Sequence, residues 1–230
     1  MKTMVIIPAI DEEQSIGKVI SSIHIFGLEE IIVVDNGSKD ETPIIAKKNG
    51  ATVLFEPQRG YGSACLKGVD YIFNHPQKII PDIILFMDAD FSDDPSDLPL
   101  LINPIQFENV DFVIGSRTLG QREKGSLTIP QIFGNRLATF LIHLIIKKKF
   151  TDLGPFRAIK AEKLRILEMR DKNFGWTIEM QIKAIKNNLS IREVPVNYRN
   201  RIGKSKISGT IKGTIMAGMK IIYSIFRYSI

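Results

Sequence analysis

A chain of 230 residues with 44% hydrophobic and 24% charged residues can build one sizeable α/β core, and it is too apolar for a disordered polypeptide. Its single cysteine, Cys65, excludes an internal disulfide and fits a reducing compartment. The formal charge of +6 suits anionic partners, but it is unevenly placed: Lys147–Lys149 and the stretch from Arg199 to Arg227 are basic, whereas Asp88 to Asp97 is acidic.

Met4-Val5-Ile6-Ile7-Pro8 predicts a buried strand at the very start, with no basic-then-apolar leader before it, so a cytoplasmic protein without a signal peptide is expected. A helix is predicted from about Ser15 to Phe26, and a second buried strand at Ile31–Val34, closed by Asp35-Asn36-Gly37. Thr42-Pro43 reads as a helix start and Gly50 as its end. Thr52–Phe55 predicts strand three, and the helix after it runs from Gly62-Ser63 to before Pro76. Ile83–Met87 and Phe112–Ile114 predict strands four and five. Leu137–Ile146 is an apolar stretch too short to span a bilayer. Residues 211–230 predict a helix with Lys212, Lys220 and Arg227 within about 80° of arc, opposite Ile211, Ile215, Met219, Ile222, Ile225 and Phe226. Such a helix suits a bilayer surface, with packing on the domain or in a homodimer as the alternative.

Short apolar strands alternating with helices imply a mostly parallel sheet covered by helices on both faces, whose ligands bind beyond the carboxyl ends of the strands. Polar clusters stand at those ends: Asp11-Glu12, Asp35, Arg59, Asp88-Ala89-Asp90 and Ser116-Arg117. Two carboxylates one residue apart at a strand end suit a hard cation, Mg²⁺ or Mn²⁺, that shares its remaining positions with substrate phosphates. Taken singly, the acidic clusters are better explained as turn and cap chemistry.

Read together, the clusters resemble the family 2 glycosyltransferases of GT-A fold, over nearly the whole chain, and within them the polyprenyl-phosphate (dolichol-phosphate) sugar synthases. The resemblance rests on Ile7-Pro8-Ala9 with Asp11-Glu12, Val33–Ser38 with Asp40 and Thr42, Arg59-Gly60-Tyr61-Gly62, Asp88-Ala89-Asp90 and Gly115-Ser116-Arg117. In the second half it adds Thr151–Arg157, Trp176 with Glu179-Met180-Gln181, and Arg201–Lys206. Where those synthases often carry Leu-Gln after the acidic motif, this chain has Phe91-Ser92, and Gly-Phe-Arg is interrupted as Gly154-Pro155-Phe156-Arg157.

The resemblance implies a GT-A domain over residues 1–206 followed by a C-terminal amphipathic helix over 207–230. It implies an inverting, metal-dependent hexosyltransferase that moves sugar from UDP-glucose or GDP-mannose to an acceptor, a polyprenyl phosphate before others. Pro8, Ala9, Asp11, Glu12, Asp35, Gly37, Asp88 and Ala89 would hold the donor nucleotide. Asp88 and Asp90 would hold Mg²⁺ or Mn²⁺, and Asp88, Asp90 and Arg117 would carry catalysis. Arg117, Arg136, Arg201 and Ser205 would receive the acceptor phosphate, a role that guanidinium forks suit on chemistry alone. A phosphate acceptor needs no strong base. A hydroxyl acceptor would need one, from Asp90, Asp93, Asp94 or Asp152. The protein would then be peripheral on the inner face of the cell membrane. A sugar-1-phosphate nucleotidyltransferase would carry an early glycine-rich phosphate loop where Pro8–Glu12 is acidic, intact Asp88, Asp90 and Arg117 argue against an inert scaffold, and the acidic crevice would repel nucleic acid. His24, His75 and His143 lack metal-ligand spacing, and Cys65 reads as core.

Overall fold

The computed structural model describes residues 1–76, 79–203 and 211–229, and in the last of these the side chains from Gly218 onward. Seven strands form one sheet: β1 (Thr3–Ala9), β2 (Glu30–Asp35), β3 (Thr52–Phe55), β4 (Ile83–Phe86), β5 (Phe112–Ser116), β6 (Arg157–Lys160) and β7 (Ile191–Pro195), in the order β3-β2-β1-β4-β6-β5-β7. All neighbouring pairs are parallel except those made by β6, which runs antiparallel to both β4 and β5. The α/β class and the first five strands follow the sequence reading. Strands β6 and β7 escaped it for a physical reason. β6 offers only Ala158 and Ile159 between two charged residues, and β7 is a half-exposed edge strand ending in proline, where a missing donor is tolerated.

Side chains alternate across the sheet, as a period of two demands. Met4 and Ile6 with Ile84, Phe86 and Phe112 pack beneath α3 (Tyr61–Asn74), α5 (Ile129–Ile146), α6 (Ala161–Leu167) and α7 (Trp176–Lys186). Val5, Ile7, Val33, Leu85 and Val113 face α1 (Ile16–Ile23), α2 (Thr42–Lys48) and α4 (Leu98–Phe107). The α1 residues Ile16, Val19, Ile20 and Ile23 recur at helical spacing and are all buried. Helix α5 is longer than the expected apolar stretch. A reciprocal Thr128–Gln131 capping box starts it at Ile129, and it is thereby long and apolar enough to cross a membrane.

Helix α8 (Ile211–Ser229) lies against α5 and α7. Ile225, expected on the same outward face as Met219 and Phe226, is instead buried in the core, while those two stay exposed. The side chains of Lys212, Ile211 and Ile215 lie outside the described residues, as do Lys204, Ser205 and Lys206.

Glycine lets α3 approach β1 closely. A Cβ on Gly68 would stand 2.7 Å from Cγ2 of the fully buried Ile6, which has nowhere to go. Gly68→Ala should therefore lower the unfolding free energy by about 1–3 kcal/mol despite its better helix propensity, measurable by urea denaturation.

Candidate active site

A cavity of about 340 Å³ opens where β1, β2 and β4 end. Its first wall is Pro8, Ala9, Ile10 and Glu12, from the loop after β1. Within that loop Asp11 adopts a positive φ of 50° and turns away from the cavity wall: its N–H donates to Ser38 Oγ at 2.9 Å, and its carboxylate accepts the Lys39 N–H at 2.7 Å. The second wall is Asn36 with Arg59, Gly60, Tyr61 and Ala64. Asn36 Nδ2 donates to the carbonyls of Glu56 and Gln58, both at 2.9 Å, and its Oδ1 accepts the Gly60 N–H at 2.8 Å, which locks the β2 loop to the start of α3. Asp35 accepts the Ser38 N–H, and the Gly37 carbonyl accepts a hydrogen bond from Arg59 Nη2 at 2.9 Å, so both residues shape the turn behind the wall.

Asp88, Ala89 and Asp90 form the third wall and Arg201 closes over it. Asp90 is buried, with Oδ1 accepting from the Ser92 N–H and hydroxyl, and Oδ2 at 3.3 Å from Arg201 Nη1. The other end of that guanidinium meets Glu12 at 2.6 Å. Asp93 sits behind them, fully buried, with Oδ2 accepting the Asp88 N–H and Oδ1 without a partner among the described residues. Burial pushes the Asp88 carboxyl well above the ordinary carboxylate range, and repulsion from Asp93 and Asp90 adds to it. Burial, with repulsion from Asp90, likewise lifts Asp93 to about 7. Asp88 and Asp90, both on the cavity wall, are a fitting donor pair for a hard divalent cation that completes its shell on phosphate oxygens. Among the described residues no third His, Cys, Asp or Glu joins them in a ligand set.

With this geometry in hand, comparison with known proteins is direct. Residues 4–166 match the family model described as glycosyl transferase family 2. The chain belongs to glycosyltransferase family 2. It is 32% identical to the dolichyl-phosphate hexose transferase of Haloferax volcanii, over 88% of this chain and 85% of that one. It is 30% identical to the UDP-N-acetylglucosamine–dolichyl-phosphate N-acetylglucosaminyltransferase of Methanococcus voltae, over 95% and 92%. Its fold superposes on glucosyl-3-phosphoglycerate synthase from Mycobacterium tuberculosis, in complex with Mn²⁺, UDP and glucosyl-3-phosphoglycerate, with a TM-score of 0.78, 22% identity, and coverage of 99% and 79%.

The arginines of this glycosyltransferase divide sharply. Arg201 lines the cavity. Arg117 does not: its Nε and Nη2 donate to both oxygens of Asp152 at 2.8 and 2.7 Å, its backbone N–H adds a third bond, and its guanidinium stacks on Tyr198. Burial weakens charge on both partners, yet the pairing holds Arg117 above, and Asp152 below, the usual range. Arg136 is exposed on α5, away from the cavity wall. Arg157 is wholly buried, donating to the carbonyls of Leu153, Gly154 and Thr177, so the interrupted Gly-Pro-Phe-Arg motif is structural here.

Asn173 and Phe174 line the cavity and were not foreseen. They arrive because Gly60 and Gly62 leave room for the backbone carbonyls of Lys172 and Asp171, where any Cβ would collide. The Asp171 carboxylate shapes that loop by accepting the N–H groups of Asn173 and Gly175, and it also meets Lys220 at 3.2 Å and the Tyr228 hydroxyl at 3.4 Å on α8. Glycines at 60 and 62 were the available signal. Trp176 packs edge-on against Phe86 in the core, Cys65 is buried in the same core, and His24 bonds the Asn49 carbonyl.

Removing one partner of a buried ion pair leaves the other uncompensated. Asp152→Asn should therefore cost about 3–5 kcal/mol of stability at neutral pH. Because the Asp152 pKa is depressed, its contribution is complete above the ordinary carboxylate value of about 3.9 and is lost as pH falls through the folded-state value. The gap between wild type and variant in thermal melts should narrow correspondingly in acid.

Proposed function

We propose that this family 2 glycosyltransferase moves a hexose from UDP-glucose or GDP-mannose to a polyprenyl phosphate, with inversion at the anomeric carbon, at the cytoplasmic face of a membrane. The observation that carries the reading is the cavity at the strand ends, walled by Asp88 and Asp90 and capped by the Arg201 guanidinium. Pro8, Ala9, Glu12 and Asn36 would receive the nucleoside, and Asp11, Asp35 and Gly37 would hold that wall in shape. Asp88 and Asp90 would hold Mg²⁺ or Mn²⁺, which when bound would offset the charge of the departing nucleoside diphosphate. The Mycobacterium tuberculosis synthase, seen with Mn²⁺ and UDP, supports the metal and the uridine donor, and the Methanococcus voltae and Haloferax volcanii relatives, by their names, support a lipid-linked phosphate acceptor.

The fate of the candidate bases favours an acceptor that is already anionic. Asp152 is consumed by Arg117, Asp94 is paired with Arg199 at 2.6 Å and caps Ser96, and Asp93 is buried behind the cavity wall. Asp90 alone of the four reaches the cavity, and it is needed for the diphosphate. A phosphate oxygen requires only alignment behind the anomeric carbon. Arg201 would supply it by exchanging its Glu12 contact for a phosphate fork, with Ser205 four residues on in the sequence, while Arg117 acts from behind by fixing the Asp152 loop. Arg136, exposed on α5, would meet acceptor phosphate only outside the cavity.

Mass spectrometry of products after incubation with UDP-glucose or GDP-mannose, a divalent ion, and either a short polyprenyl phosphate or 3-phosphoglycerate tests this reading. The expected product is a hexosyl phosphoryl polyprenol, lost on chelation and reduced about a hundredfold or more by Asp88→Asn. Arg201→Ala should raise the acceptor KM more than it lowers kcat. Product from the hydroxyl acceptor only, or turnover indifferent to chelation, would refute it.

A further inference from the structure

The loop of residues 171–175, which brings Asn173 and Phe174 into the cavity wall, fits between two helices because three glycines make room for it. On one side Gly60 and Gly62, at the start of α3, lie so close to the Lys172 and Asp171 carbonyls that a Cβ at either would collide with them. On the other, a Cβ at Gly175 would collide with Asp171 Oδ2 and with the hydroxyl of Ser224, a buried residue of α8. Gly175 has an ordinary φ of −75°, so glycine is required there by the approach of the helix and not by the backbone.

Asp171 joins these parts. Its side chain is 2% exposed, and Oδ1 accepts the Asn173 and Gly175 N–H groups at 2.8 and 3.2 Å. Oδ2 lies 3.2 Å from Lys220 Nζ and accepts from the Tyr228 hydroxyl at 3.4 Å. Among the described residues Lys220 is the one cation paired with Asp171, so α8 supplies the counter-charge that a buried carboxylate needs. Burial, with repulsion from Glu179 and Asp171, raises the Tyr228 phenol well above its ordinary value and keeps it a hydrogen-bond donor. The C-terminal stretch that forms α8 also carries Arg201, which closes the cavity on its Asp90 side. One stretch of chain thus grips two walls of the cavity, and Asp171 stands behind its wall rather than in it.

We propose that Asp171 is a positioning residue for nucleotide-sugar binding, and that α8 fixes it through Lys220 and Tyr228. The C-terminal helix is then a working part of the active site, because it holds Asn173 and Phe174 where the donor meets them. A chain that loses this tie binds donor weakly while Asp88, Asp90 and Arg201 stay intact. A wall already in place spares the ordering that binding would otherwise require, so a loosened loop shows in donor affinity before it shows in the chemical step. The proposal rests on the reading that the nucleotide sugar occupies this cavity.

The test compares the full chain with Lys220→Met, Asp171→Asn, their double variant and Lys220→Arg. The single tryptophan, Trp176, follows the loop directly, and its backbone N–H donates to the Asn173 carbonyl at 3.4 Å, so acrylamide quenching of its fluorescence reads the loop without any ligand. Isothermal titration with UDP-glucose or GDP-mannose, in the presence of Mn²⁺, reads donor affinity. Lys220→Met and Asp171→Asn should each be quenched more readily and bind donor about fivefold or more weakly, with kcat changed far less than the donor KM. The double variant should be no worse than either single one, and Lys220→Arg, which keeps the cation, should match the wild type. Should Asp171→Asn not fold, Tyr228→Phe, which removes one hydroxyl, should move both readings the same way by a smaller factor. Donor affinity unchanged in Lys220→Met, additive losses in the double variant, or Lys220→Arg no better than Lys220→Met would overturn the proposal alone. A wild-type chain that binds neither nucleotide sugar would sink the reading of the cavity, and the proposal with it.

Discussion

Negative charge crowded at the end of a buried strand is the constraint around which this molecule is arranged. Asp88, Asp90 and Asp93 follow β4 with little water to share their charge, and Asp88 and Asp93 are both driven toward the protonated form. Such a site persists only if positive groups come to it. The chain brings two from far along its length. Arg117, at the end of β5, is fixed by Asp152, and Arg201, beyond β7, bridges Glu12 and Asp90. Backbone bonds from Ile202 to Asp90 and from Arg199 to Ser92 seat the last described loop on the acidic turn. The two cations thus arrive from the second half of the sheet, Arg117 from the end of β5 and Arg201 from the segment beyond β7.

How much of this was legible in the sequence depends on whether a feature is local. Strands β1 to β5 are continuous apolar runs, and buried parallel strands have no other pattern to show. Asp88 and Asp90 could be placed because they close such a run. Arg117 was read as a phosphate ligand since a guanidinium fork fits phosphate, but it fits a carboxylate equally, and nothing near Arg117 announces Asp152. Asn173 and Phe174 were invisible for the same kind of reason. They belong to a polar loop whose address is written elsewhere, in the missing side chains of Gly60 and Gly62.

The C-terminal helix shows how a pattern read as amphipathic can still divide one expected face, with Met219, Ile222 and Phe226 exposed and Ile225 buried. Its apolar residues exceed what one face needs. The domain takes Ile225, with Ile221 and Tyr228 packed alongside, and leaves Met219 and Phe226 to solvent. Helix periodicity fixes which residues share a side but not what that side meets, since helix α5, the neighbour, is itself apolar on more than one side. Through Asp171 the helix is joined to the loop that carries Asn173 and Phe174 into the cavity wall.

The most direct measurement of the central claim is anomalous diffraction from crystals grown with Mn²⁺ and a nucleoside diphosphate. The account predicts a manganese peak within about 2.0–2.3 Å of carboxylate oxygens from Asp88, Asp90 or both, with phosphate oxygens filling its other positions and Arg201 moved off Asp90. A nucleotide bound in that cavity with no metal at the two aspartates, and Arg201 still paired with Asp90, would contradict it.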